Sequence, residues 1–297
     1  MEIHMRVLAP HPNVLAFYDG RVEGYRFSDG ANWVDDGALS LGIASYAIVH
    51  GEEALVYDTH VSIAHAAFIR RTLEQRGIRR ITVVLSHWHL DHIAGNAFFA
   101  DCEIIANVRT VAHLARHKAA LEAGTLEGPP AIAPLVMPTR TFEDRLTLNV
   151  GGLPVDLMTF DIHSDDATVL WLAQDRLLLA GDTLEDTITY VAEPDGFARH
   201  LVDLNRMRAL SPLSILPNHG AAERIASGGY GADFINATEQ YIRALQAIQR
   251  DPSRRDVALR DLIAAPLASG AVSYFAGYEA VHARNVALVL EAAAGAA

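Results

Sequence analysis

Ser86-His87-Trp88-His89-Leu90-Asp91-His92 puts four metal-capable side chains into six residues, 87–92. The segment follows Ile81-Thr82-Val83-Val84-Leu85, a β-branched run that reads as a buried strand. While the chain stays extended, alternation sets His87 and His89 on one side. Asp91 and His92 then fall at the turn into the next segment, where Gly95 offers conformational freedom. Imidazole suits zinc and iron, and a carboxylate completes a borderline or hard site. A solvated polar loop gives no account of three histidines around one aspartate, so this segment is expected to bind metal.

Three further loops offer one such side chain each. His163 follows the run that ends at Phe160, Asp182 stands in Ala180-Gly181-Asp182-Thr183, and His219 stands in Pro217-Asn218-His219-Gly220. Alone, each would pass as a turn or capping residue. Together with 87–92 they make four strand-end loops carrying nitrogen or oxygen ligands. Ligand sites in α/β folds favour the carboxyl ends of strands.

The elements that must position these loops follow from periodicity. Strands are predicted at 14–18, 45–49, 54–57, 81–85, 144–149, 154–160, 168–173, 176–180 and 213–216. His50-Gly51-Glu52-Glu53 joins the second and third as a hairpin. Helices are predicted at 63–76, 108–122, 197–209, 231–249, 253–264 and 278–294. The glycine- and proline-rich stretch 124–140 and the segment 25–40 read as long loops and candidate lids. The expected organisation is a mixed α/β catalytic domain over 1–228 and a helical extension over 229–297.

Composition narrows the class. At 297 residues, with 51% hydrophobic and 20% charged residues, the chain is globular rather than disordered, coiled or fibrous. Lys plus Arg is 24 against 36 Asp plus Glu, a net charge of −12, which disfavours nucleic acid as a partner. The single cysteine, Cys102, can form neither an internal disulfide nor a cysteine-rich cage. A reducing cytoplasm is therefore expected. The opening residues lack the basic start and apolar core of a signal peptide, and no run of about 18 apolar residues suggests a membrane partner.

In order and spacing, the His-x-His-x-Asp-His signature at 87–92, His163, Gly-Asp at 181–182 and Asn-His-Gly at 218–220 resemble the metallo-β-lactamase fold superfamily over about residues 40–222. The resemblance implies an αββα sandwich with two metals in a cleft on one edge, followed here by the helical appendage. It implies one metal on His87, His89 and His163, a second on Asp91, His92 and His219, and Asp182 bridging both. Two Zn²⁺ are expected, with Fe or Mn as the other options. Two ions about 3.5–4 Å apart can share a hydroxide and lower the water pKa from about 15.7 towards 7. Asp91 could orient that hydroxide and then protonate the leaving group.

Comparison with the subfamilies points to an ester, lactone or thioester of a small molecule. The β-lactam-cleaving members often use a cysteine at a metal-two position, whereas Cys102 lies outside every matching loop. β-Lactam hydrolysis is expected as a side activity only. The quorum-signal lactonases match the signature but commonly carry a tyrosine three residues after the bridging aspartate. Here that position is Glu185, and the nearest tyrosine is Tyr190. The glyoxalase II type shares a helical tail but follows its last histidine with Glu, where this chain has Gly220. A mononuclear iron dioxygenase acting on a sulfur substrate is the second reading, and a non-catalytic binding protein of the same fold the third. Apolar residues for substrate are expected from Ile132, Leu135, Val136 and Met137. His113 and His117 read as helix surface, His60 as a turn residue, Trp88 as packing beneath the site, and Tyr274, Phe275, Tyr278 and His282 as packing between helices.

Overall fold

Alternation on strands buried on both faces builds two sheets back to back. A computed structural model describes residues 3–191 and 193–295. The first sheet runs in chain order: β1 (Arg6–His11), β2 (Val14–Asp19), β3 (Ile43–His50), β4 (Glu53–Tyr57), β5 (Arg80–Val84), β6 (Glu103–Asn107) and β7 (Arg140–Phe142). Pairing is antiparallel through β4 and parallel from β4 to β7. Parallel neighbours need crossovers, and α1 (Ile63–Gln75), α2 (Leu90–Ile93) and α3 (Val108–Ala123) lie in them. The second sheet comprises β8 (Arg145–Val150), β9 (Leu153–Thr159), β10 (Thr168–Leu172), β11 (Leu177–Gly181) and β12 (Ser214–Pro217), in the order β12-β11-β10-β9-β8. Its one parallel pair, β11 with β12, is bridged by α4 (Phe197–Ala209). Then follow α5 (Ala222–Ala226), α6 (Asp233–Arg250), α7 (Leu259–Leu262), α8 (Ala264–Ser269) and α9 (Tyr278–Gly295).

The strand period of two sorts side chains into three cores. Val14, Ala16, Tyr18, Tyr46, Tyr57, Leu170 and Leu179 face inward and fill the space between the sheets. The opposite faces of β2 to β5 give Phe17, Ala47, Val56 and Val83 to a core beneath α1 and α3. On the far side, Val169, Leu178 and Ile215 pack with Leu204 of α4, Tyr241 of α6 and Val289 of α9. The layers are therefore α, β, β and α, as expected, and the C-terminal helices contribute to the outer layer of the second sheet. Among the described residues no helix is long and apolar enough to cross a membrane.

Two expectations about elements need correction. Residues 253–264 do not form one helix. A short turn at Pro252–Arg254, an irregular stretch, α7 and the start of α8 stand there, because Arg254, Arg255 and Asp256 are exposed and burial begins only at Leu259. Strands β1, β6 and β7 were not anticipated; β6 is only five residues long and is held by parallel partners on both sides.

Three buried tyrosines tie the sheets together near one edge. The Tyr18 hydroxyl donates to the Gly220 carbonyl at 3.0 Å, Tyr46 to that of Pro217 at 2.5 Å, and Tyr57 to that of Thr168. Beside them, Gly95 sits where the crossover after β5 touches the β4 end. Its backbone is ordinary right-handed helical, so conformational freedom is not what it supplies. A Cβ there would meet the Thr59 carbonyl oxygen at 2.2 Å and the Ala66 Cβ at 2.5 Å, so glycine is required for close approach. Gly95→Ala is accordingly expected to destabilise the fold by about 1–3 kcal/mol through overpacking. A lowered urea midpoint would show it; an unchanged midpoint would mean that the crossover can move aside at no cost.

Candidate metal centre

The segment after β5 bends at Ser86 and Trp88 and is extended at His89 before α2 begins, and this carries both of its first histidines to one point. His87 Nε2 and His89 Nδ1 are 2.9 Å apart. From the loop after β9, His163 Nε2 reaches the same point, 3.2 Å from His87 Nε2 and 2.9 Å from His89 Nδ1. His163 is held with a positive φ of 71°, a conformation that costs a non-glycine residue energy. Three imidazole nitrogens this close cannot all be satisfied by one another, since at least one pair must face lone pair to lone pair or N–H to N–H. They suit a shared cation: nitrogens around a tetrahedral zinc stand about 3.3 Å apart at zinc–nitrogen distances of about 2.0–2.1 Å.

A second group lies alongside. His92 Nε2, from α2, is 3.1 Å from Asp182 Oδ2 and 3.4 Å from Asp91 Oδ1. His219 Nε2, after β12, is 3.2 Å from Asp91 Oδ2 and 3.5 Å from Asp182 Oδ2. Asp182 Oδ2 also lies 3.7 Å from both His87 Nε2 and His163 Nε2, so one oxygen faces both groups. The other, Oδ1, is buried with no hydrogen-bond partner. Gly181 makes this turn with a φ of +59°, and a Cβ there would lie 2.8 Å from the Tyr57 hydroxyl. The structure thus brings together all seven residues named from the sequence, in groups that could hold metal ions.

Behind these groups, four of the five histidines have a partner at the far side of the ring. His92 Nδ1 pairs with Asp58 Oδ2 at 2.9 Å, His219 Nδ1 donates to the Gly42 carbonyl at 2.9 Å, and His163 Nδ1 donates to that of Tyr190 at 3.1 Å. Ser86 Oγ lies 2.9 Å from His87 Nδ1. Such outer partners fix the tautomer and orientation of a ligating imidazole. Asp58 also accepts the Ser86 backbone N–H at 2.6 Å and the Asn218 side-chain amide. Glu185 is a buried carboxylate at the back of His163: Oε1 is 3.4 Å from His163 Nδ1 and accepts the Tyr190 N–H, while Oε2 accepts from the Tyr278 hydroxyl.

The electrostatics divide the histidines: burial opposes charge on His163 too, but Glu185 and Asp182 outweigh it and raise it, as happens at His92 and His219, while His87 and His89 are lowered. Burial, with the neighbouring histidines, holds His87 well below its usual pKa, and burial with His163 takes His89 down to about 3. Both are neutral at pH 7, as a ligand must be. Burial also opposes charge on His92 and His219, but Asp182 and Asp91 outweigh it and raise both well above the ordinary value. In return, despite burial, the histidines hold Asp91 down at about 2 and Asp182 well below the carboxylate range. The carboxylates are ionised, and the centre demands positive charge.

Above the centre opens a cavity of about 450 Å³. The segment 25–40, expected as a loop but helical over Val34–Leu39, reaches it through Trp33, Gly37 and Ala38, and the loop 124–140 reaches it through Glu127, with Trp33 Nε1 donating to the Pro130 carbonyl at 2.9 Å. The expected apolar lid residues are elsewhere. Ile132 and Leu135 are buried in the core beneath α3, with Val136 and Met137 packed against it, because the Ile132 N–H donates to the Leu121 carbonyl and the Leu135 N–H to the Glu122 carboxylate, drawing that stretch down. Trp33, Leu41, Trp88, Leu90 and Val281 supply the apolar wall instead.

Several weaker readings are also resolved. Trp88 both lines the cavity and stacks on His113 and His117, at 5.3 and 4.9 Å between ring centroids, so those histidines brace the wall. His60 is fully buried and stacked on His65 at 4.4 Å. Tyr278 and His282 pack as expected, the latter against Tyr241. The sequence reading missed Asp58, Asn218 and Glu185 as supports; an acidic residue at the β4 end, level with the signature, was the available signal.

Asp58→Asn keeps the shape but removes the charge that pairs with His92. Metal affinity is expected to fall about 10- to 100-fold, read by competition with a chromophoric chelator. Unchanged affinity would show that Asn218 and the fold alone orient His92.

Comparison with known proteins agrees with this geometry. The model of the metallo-beta-lactamase superfamily matches residues 40–254. An atrochrysone carboxyl ACP thioesterase of Paecilomyces divaricatus, AgnL7, is 27% identical over 217 residues, which is 72% of this chain and 62% of that protein. The match thus spans less than two thirds of that relative's length. Among solved structures, the DIM-1 metallo-β-lactamase aligns with a TM-score of 0.60 at 19% identity, covering 82% of this chain and 99% of that one. A metallo-β-lactamase from Pontibacter korlensis aligns at 0.57 and 14% identity, covering 78% and 99%. At such identities these structures show the fold alone, but the family match covers most of the chain, and the chain belongs to the metallo-β-lactamase superfamily.

Proposed function

We propose that the chain is a dinuclear zinc hydrolase that cleaves an ester, lactone or thioester of a small molecule. The observation that carries the reading is the meeting of His87 Nε2, His89 Nδ1 and His163 Nε2 within 3.2 Å, beside a second group that shares Asp182 Oδ2 with it. His87, His89 and His163 would hold one ion, Asp91, His92 and His219 the other, with Asp182 between them. Bound there, two divalent ions supply a nucleophile from water at neutral pH and polarise the carbonyl.

The chain's own residues do the rest. Asp91 is ionised and, at 17% side-chain exposure, is the most open of the carboxylates in the centre. It is placed to take the proton of the attacking water and return it to the leaving group. Trp33, Leu41 and Trp88 exclude water from one side of the cavity and offer the substrate an apolar surface. Tyr190 stands in the same wall, where its phenol can donate to a carbonyl oxygen, a role that Glu185 cannot fill. The thioesterase relative favours a thioester among the three substrate classes.

Metal content per chain, measured by mass spectrometry on protein expressed without metal supplementation, is the first test. About two zinc ions per chain, with turnover of a panel of thioesters and lactones, is the expected result. One iron per chain and oxygen uptake with a thiol substrate would replace this reading with sulfur oxygenation.

His87→Ala and Asp182→Ala should each lower kcat/KM by at least about 100-fold, since a ligand matters more than its outer partner. Each should also lower the metal content. Full activity in either variant would sink the assignment.

A further inference from the structure

The cavity wall is acidic except at one place. Asp91, Asp182, Glu185 and Glu127 all line it, and among the described residues the single lysine or arginine that does so is Arg284. Arg284 lies on α9, three residues after Val281, so the two share a helix face. Its side chain is exposed and forms no hydrogen bond or ion pair with any described residue. Glu127 is within electrostatic reach across the mouth, yet no ion pair closes between them. By contrast, Arg21 is tied to the carbonyls of Leu41 and Asp186 and stacks on Phe275.

The free side chain stands on a fixed support. Asn285, next to Arg284, accepts the Val191 N–H at 2.9 Å and donates to the Thr189 carbonyl at 3.0 Å. The Tyr278 hydroxyl reaches Glu185 at 3.2 Å. These bonds join α9 to the segment that begins with Asp182. The position of Arg284 is thereby set relative to the metal centre, while its guanidinium keeps all its donors. A guanidinium presents a planar fork that matches carboxylate and phosphate oxygens. The same cavity is also lined by the apolar Val281, Leu41 and Trp88.

We propose that Arg284 is a specificity-determining residue that binds an anionic group, carboxylate or phosphate, at the end of an apolar stretch of substrate whose reacting carbonyl lies at the metal centre. This rests on the hydrolase reading and names its substrate class: an amphipathic acyl compound with a negative charge remote from the scissile bond. The charge has two possible sources, a carboxylate on the acyl part or a phosphate on the leaving thiol.

Non-hydrolysable thioethers separate these sources without requiring turnover. The probes are S-pentyl-N-acetylcysteamine, its S-(4-carboxybutyl) counterpart, and S-pentyl-4′-phosphopantetheine, titrated calorimetrically into zinc-loaded protein. One of the two charged probes is expected to bind about tenfold more tightly than the neutral one, as for a charge-assisted contact at a cavity mouth. Arg284→Ala should erase that advantage, Arg284→Lys should keep part of it, and neither should alter binding of the neutral probe. Which charged probe responds identifies the source. Charged probes that bind no better than the neutral one, or an equal loss for all three in Arg284→Ala, would overturn the proposal. With the matching thioesters, Arg284→Ala should raise KM about tenfold for the charged substrate and leave kcat unchanged. If the wild-type protein hydrolyses none of them, nor the corresponding esters and lactones, the hydrolase reading falls, while the thioether titration still decides the role of Arg284.

Discussion

One buried carboxylate holds the ligand loops in common. Asp58 stands at the end of β4 and is wholly inaccessible. It accepts hydrogen bonds from the Ser86 backbone, His92 Nδ1 and the Asn218 side chain. These donors come from the end of β5, from α2 and from the end of β12, so a single side chain joins both sheets. Burying an ionised carboxylate is tolerable only when it is fully hydrogen-bonded and faces positive charge. Removing any one partner would leave a costly group unsatisfied. The three tyrosines that cross to Gly220, Pro217 and Thr168 close the same seam. The centre is therefore the edge along which the sandwich is fastened.

The same seam concentrates negative charge. Asp58, Asp91, Asp182 and Glu185 lie in or directly behind the two ligand groups, and no lysine or arginine pairs with any of them among the described residues. Histidines answer part of this charge, as the raised His92 and His219 show, but His87 and His89 are held neutral by burial. Cations at the two groups would complete the balance. Since the unfolded chain cannot hold seven ligands together, metal affinity would then count towards folding stability.

How much of this could be read from the sequence follows from the range of the interactions. The seven candidate ligand residues were legible because each sits in a short motif just after a strand, and strand ends in such folds converge. The strands themselves were legible from alternation. Asp58 and Glu185 were not assigned their roles, because what defines them is a partner 34 and 22 residues away, His92 and His163. Ile132 and Leu135 misled for the opposite reason. Apolar residues in a proline-rich loop look available, but tertiary bonds to α3 sink them into the core. The helix expected over 253–264 failed because its first residues have nothing to bury.

The ligand set and the cavity wall differ in how they are encoded, and this bears on what the family name conveys. The ligands come from motifs whose geometry the sandwich dictates, so they identify the fold and its metal chemistry. The wall over them is assembled from Trp33, Trp88, Glu127, Tyr190 and Val281 with Arg284, positions up to 251 residues apart in the chain. Trp88 and Tyr190 adjoin the candidate ligands, the Tyr190 carbonyl accepting from His163 Nδ1, whereas Trp33, Glu127, Val281 and Arg284 lie outside every motif, so the family signature leaves that part of the wall free. In this chain the wall includes a C-terminal helix locked onto the Asp182 loop, and the single unpaired lysine or arginine that lines it among the described residues is carried by that helix.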